Sequence, residues 1–175
     1  MQRFACLLIA LAACGGGIKS EEASLTGVNP GVKSCAATAF TDTEGGGQSV
    51  LGWTIEFYSA APGADCSSDD TKIVAKLVIY TNQAALSKPE ALLSTGDVTI
   101  VPMNPPTVIG NAAAFMSASG VAGVQGIATI TEFHLEPDAM HADRIKGTVS
   151  AGGKDDNDND VVVTGSFTAP HCEEK

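Results

Sequence analysis

Six consecutive residues, Asp155-Asp156-Asn157-Asp158-Asn159-Asp160, concentrate the oxygen donors that a hard cation prefers. The alternate carboxylates Asp156, Asp158 and Asp160 have the spacing at which a calcium loop opens, which makes them the candidate calcium ligands of this chain. The pattern then departs: Val161 stands where a glycine makes the sharp turn, and Phe167 where a bidentate glutamate closes the site. Gly152, Gly153 and a run of Asp and Asn are also what a solvated hairpin loop needs, and that is the fuller account. Four carboxylates in six residues repel one another, so such a loop is expected to be mobile without an ion. No other cofactor is expected.

A second polar cluster, His134, Glu136, Asp138, His141 and Asp143, surrounds Pro137. Imidazole with carboxylate can bind zinc or exchange protons, but the spacing fits no helix face, so surface histidines on a hairpin are expected. His171 beside Cys172 could form a nucleophile pair, yet a position followed only by Glu173, Glu174 and Lys175 favours a disulfide. Gly120, Gly123 and Gly126 recur every third residue without the lysine or helix of a phosphate loop, which reads as a flexible loop. There is no Gly-x-Ser-x-Gly elbow and no His-Glu-x-x-His helix. Trp53, Tyr58 and Tyr80 are the aromatics that a sugar site would use, and Trp53 shares the parity of the buried face.

The N-terminus carries chemistry of another kind. Arg3 precedes ten mainly apolar residues, Phe4 to Ala13, which as a helix reach only about 15 Å, half of a bilayer core. That is a signal peptide rather than a membrane span. It ends in Leu11-Ala12-Ala13-Cys14, which resembles the lipobox of bacterial lipoproteins. The resemblance implies cleavage before Cys14, lipidation of its sulfur, and a membrane partner held through acyl chains at about 0.8 kcal/mol per buried methylene. Gly15 in the next position implies sorting to the outer membrane. The expected organisation is a signal peptide over 1–13, a lipidated Cys14 with a flexible tether over 14–30, and one β-domain over 31–175.

Three cysteines, Cys35, Cys66 and Cys172, then remain in an oxidising compartment, enough for one disulfide. Cys66 with Cys172 pins the C-terminus to a polar loop; Cys35 with Cys172 is the alternative if the first and last strands pair antiparallel. No Cys-x-x-Cys pair suggests redox or zinc chemistry.

The elements around these residues read as strands. Leu51, Trp53, Ile55 and Phe57 alternate with Val50, Gly52, Thr54, Glu56 and Tyr58, as Ile73, Ala75, Leu77 and Ile79 do with Lys72, Val74, Lys76, Val78 and Tyr80, and the two runs form an antiparallel pair. Val98 to Ile100 and Ala112 to Ser117 are weaker, and the prolines between them suggest edges. The apolar parity switches between Ile130 and Phe133, which a bulge at Thr131 or Glu132 would reconcile. Ile145-Lys146-Gly147-Thr148-Val149 and Val163-Thr164-Gly165-Ser166-Phe167 are near repeats with polar residues outward and glycine inward. A turn or two of helix is expected over Lys88 to Leu93. Together they predict an all-β antiparallel sandwich of seven to nine strands.

This arrangement also resembles a loose group of small bacterial lipoproteins with a lipobox, a Gly-rich tether, a turn such as Gly27-Val28-Asn29-Pro30-Gly31 and a closing strand ending in Ala169-Pro170-His171-Cys172. In that group the final cysteine pairs with the mid-chain one, which implies Cys66 here.

Charge narrows the functions. The chain has 175 residues, 10 basic and 20 acidic, for a net charge of −10. Nucleic acid is excluded as a partner because it needs clustered Lys and Arg. The expected function is that of a lipid-anchored, non-catalytic envelope protein that binds or braces. The alternatives are a calcium-dependent adhesion module and an extracytoplasmic hydrolase or metal enzyme centred on His134 and His141.

Overall fold

The computed structural model describes residues 23–32, 34–44, 48–60, 72–81, 95–102, 112–135 and 142–170. They contain nine strands: β1 (Ser24–Thr26), β2 (Ser34–Glu44), β3 (Gln48–Tyr58), β4 (Ile73–Thr81), β5 (Gly96–Val101), β6 (Ala112–Ala118), β7 (Ala122–Leu135), β8 (Ala142–Lys154) and β9 (Asp160–Pro170). The all-β class and the strand number agree with the sequence reading. The helix expected over Lys88 to Leu93 lies outside the described residues.

The strands make one sheet in the order β1-β9-β8-β7-β5-β6-β4-β3-β2, where the sequence pointed to two sheets facing each other. The single sheet curls upon itself like a half-barrel and supplies both sides of its own core. Phe57 on β3 meets Phe167 on β9 edge to face at 5.7 Å, although five strands lie between them in the sheet. Trp53 on β3 meets Phe133 on β7 at 4.9 Å in the same manner. Alternation is blind to this choice, because a strand with one buried face has the same period in a sandwich and in a curled sheet.

The inner face follows the expected parity. Trp53, Ile55 and Phe57 pair across the ladder with Ile79, Leu77 and Ala75, and all six are buried. Each large apolar side chain taken from water stabilises by roughly 1.5–3 kcal/mol. The bulge also falls where the parity required it. The β7–β8 register slips between Ile130 and Glu132, leaving Ala128 and Ile130 buried on one side and returning Phe133 to the core on the other.

Two expectations are corrected. First, β5 and β6 are interior strands, not edges: β5 lies between β7 and β6, pairs antiparallel with β7, and pairs parallel with β6. Pro102 follows the end of β5, Pro105 and Pro106 lie outside the described residues, and the sheet is mixed rather than purely antiparallel. Second, β1 lies within the segment read as tether. Ser24, Leu25 and Thr26 pair with Ser166, Gly165 and Thr164, and Ala23, Leu25 and Val28 are buried, so the folded body begins before residue 31.

The two inward glycines of the near repeat serve different neighbours. A Cβ on Gly165 would collide with the Ser24 carbonyl oxygen, so the absent side chain is what lets β1 lie against β9. A Cβ on Gly147 would stand 2.8 Å from Phe167 Cζ and 2.6 Å from the Thr129 oxygen, so Phe167 fills that space instead. Gly165→Ala and Gly147→Ala are each expected to lower the free energy of unfolding in urea by about 1–3 kcal/mol through overpacking. Gly31→Ala, where nothing stands within 4 Å of the added carbon, should change it little.

Candidate functional site

The Asp-rich segment closes the β8–β9 hairpin. Lys154 and Asp160 form its last ladder pair, and Lys154 Nζ lies 2.9 Å from Asp160 Oδ1. The amide of Asp158 donates to the Asp155 carbonyl at 2.9 Å and that of Asp155 to the Asn159 carbonyl at 3.0 Å. Asp158 has φ of +64°, so this is a type I turn followed by a left-handed residue, the usual three-residue hairpin loop. Glycine normally fills that position, and Asp tolerates it better than most residues.

The anchor of the loop is Asp155, which is not one of the three expected ligands. Its Oδ1 accepts the backbone amides of Asn157 at 2.8 Å and Asn159 at 2.9 Å, while its Oδ2 accepts the Asn159 side-chain amide at 3.0 Å. Those bonds, first the one from the Asn159 side chain, hold the Asp155 carboxyl below its ordinary value. The loop expected to be mobile without an ion is thus organised by its own amides. Asp156 and Asp158 are exposed on the turn and Asp160 is engaged by Lys154. Among the described residues no group of three or more His, Cys, Asp or Glu side chains is gathered for a metal.

Two members of the second cluster, His134 and Asp143, are among the described residues. His134 stands opposite Arg144 near the end of β7, and Asp143 lies at the start of β8. Glu136, Asp138 and His141 lie outside the described residues, as do Cys14, Cys66, His171 and Cys172. The expected lipidation and the Cys66–Cys172 bridge therefore fall outside them too. Cys35 is carried by β2, fully buried, with Sγ donating to the Thr168 carbonyl of β9 at 3.1 Å. β2 does not pair with β9 in the sheet, so the antiparallel ladder on which the Cys35–Cys172 alternative depended is not formed.

Gly120, Gly123 and Gly126 do not form a flexible loop. Gly120, with φ of +71°, occupies the tight turn that bridges Ala118 to Val121. Gly123 and Gly126 are within β7, and the backbone of β8 passes too close to Gly126 for any side chain there. Trp53 is 1% exposed and cannot stack a sugar. Tyr58 and Tyr80 are buried on the opposite parity, and the Tyr58 hydroxyl donates to Glu56 Oε2 at 2.6 Å.

What sequence reasoning missed is the ion-pair network beside the bulge. Arg144 Nε lies 3.0 Å and Lys146 Nζ 2.9 Å from the two oxygens of Glu132, which lowers the Glu132 pKa, most through Lys146 and then Arg144. The two cations are two apart on β8 and thus share a face; only the bulge brings Glu132 to that face. A shallow groove of about 430 Å³ opens between β4 and the β6 turn, lined by Val74, Lys76, Ser117 and Ser119 among others. Its ammonium, Lys76, is bound to Glu56 at 2.8 Å.

Comparison with protein-family models, with curated proteins and with solved structures finds no match for this chain.

Two outcomes follow from the hairpin and the network. Asp158→Gly should stabilise the protein by about 1 kcal/mol, read as a higher urea midpoint at unchanged slope, because it relieves the left-handed residue. Both depressed carboxyls contribute stability that is complete above the ordinary carboxylate range and is lost as pH falls through their lower folded-state values. The urea midpoint should fall between about pH 4 and pH 2, and fall less in the double variant Glu132→Gln with Asp155→Asn.

Proposed function

We propose that this chain is a bacterial lipoprotein, anchored through acyl chains on Cys14 to the outer membrane, whose β-domain binds or braces in the envelope rather than catalyses. The observation that carries the reading is the run Leu11-Ala12-Ala13-Cys14 at the end of ten mainly apolar residues behind a single arginine. Cleavage before Cys14 leaves a net charge of −11, which an anionic bilayer would repel; covalent lipid overcomes that repulsion where a basic patch cannot. The first paired residue among those described, Ser24, follows Cys14 by ten positions, so the body stands within about 35 Å of its anchor even when the intervening chain is fully extended.

The reading has a direct test. Cells grown with radiolabelled palmitate should yield a labelled protein in the membrane fraction, and an inhibitor of the lipoprotein signal peptidase should leave the longer precursor. Cys14→Ala should remove the label. Normal maturation with an unlabelled Cys14 would overturn the proposal.

A further inference from the structure

The polar near repeat on β8 and β9 extends across neighbouring strands into a lattice. Ladder register aligns Thr99 of β5, Ile127 of β7, Ser150 of β8, Thr164 of β9 and Thr26 of β1 in one row. The next row is Asp97, Thr129, Thr148, Ser166 and Ser24. All ten positions have the parity opposite to the core, and every one but the half-buried Thr129 is exposed. Successive residues in a row stand about 4.8 Å apart and the rows about 6.8 Å apart, so each row runs for about 19 Å.

Eight of the ten positions are hydroxyls. Thr26 donates to the Thr164 carbonyl at 3.1 Å and Thr129 to Asp97 at 2.6 Å. Among the described residues the other hydroxyls of the lattice have no protein partner. The two exposed large apolar side chains, Ile127 at 44% and Val162 at 64%, lie on this same face. The two rows hold one carboxylate, Asp97 at their corner, and the charges beyond them on the same face are paired, Glu132 with Arg144 and Lys146 at one end and Lys154 with Asp160 at the other, on a chain of net charge −10.

We propose that this face docks an extended, uncharged polysaccharide, lying along the rows with its hydroxyls on the Ser and Thr side chains and its C–H faces on Ile127 and Val162. The proposal deepens the binding reading above and rests on it. Charge selects the occupant: a cationic partner would be drawn to the acidic hairpin, whereas a neutral array on an acidic body matches a neutral polymer. The hydroxyl rows by themselves cover about 330 Å², less than the about 800 Å² that a stable dimer needs on each partner. A narrow chain several sugars long fits both the width of the two rows and their length.

The full chain, purified in detergent, is run through native gels containing glucomannan, mixed-linkage β-glucan or dextran, with polygalacturonate as the charged comparator. Retardation by at least one neutral polymer, weakened at least fivefold by Thr148→Val with Ser150→Ala, is the expected result. Both substitutions are at exposed strand positions; should the pair unfold, Thr164→Val on the next strand supplies the same test. No retardation by any neutral polymer, retardation unchanged in the variants, or equal retardation by polygalacturonate would each overturn the proposal. So would self-association in sedimentation that Val162→Asp abolishes. Palmitate labelling of the same preparation reports separately on the anchor, so failure of the two readings is distinguishable.

Discussion

The outermost strands of this sheet, β1 and β2, are consecutive in the chain and joined by only seven residues. Laid flat, nine strands would hold those edges about 38 Å apart. The connection from Thr26 to Ser34 reaches about 28 Å at full extension. The sheet therefore has to curl, and the right-handed twist between neighbouring strands already bends it in that sense. The core follows from the curl, because side chains distant in the sheet order, Phe57 with Phe167 and Trp53 with Phe133, become contact partners. So does the burial of Cys35, whose sulfur reaches the carbonyl of Thr168 from the far edge.

Curling also divides the surface. The inner parity of every strand is spent on the core, and the outer parity on β5, β7, β8, β9 and β1 is free to carry hydroxyls in register. On β3, β4 and β6 the outer parity is different, with Tyr58, Val74, Tyr80 and Ala113 buried there as well. The acidic hairpin at the start of β9 is a third region, in which Asp155 satisfies the loop amides and Lys154 engages Asp160. Its carboxylates serve the turn first.

Much of this was legible in single strands. The alternation over Trp53 to Phe57 and Ala75 to Leu77 fixes an inner face, and the parity switch after Ile130 locates a bulge to within a residue, because a one-residue slip would turn Phe133 to water. The inward glycines at 147 and 165 signal close approach, which the structure resolves into a phenylalanine at one and a backbone at the other. What alternation does not encode is which strand lies beside which. The parallel β5–β6 pair, the incorporation of Ser24 to Thr26 as an edge, and the choice of one curled sheet over two all depend on pairings remote in sequence. The lattice was hidden for the same reason: its polar residues are readable on β8 and β9, but their alignment with Thr99 and Ser24 is a property of register. Asp155 escaped notice because its role is to accept amides within its own turn, and composition alone does not separate that from ligation.

The claim on which this account stands is that the edge strand β2 folds back against β9. It is tested most directly by the distance between nitroxides carried on non-natural residues at position 36 of β2 and position 166 of β9, measured by double electron–electron resonance with the native cysteines left in place. The curled sheet predicts a narrow distribution at about 20 Å or less; an open sheet, seven strand spacings wide between these sites, would give about 34 Å and contradict it.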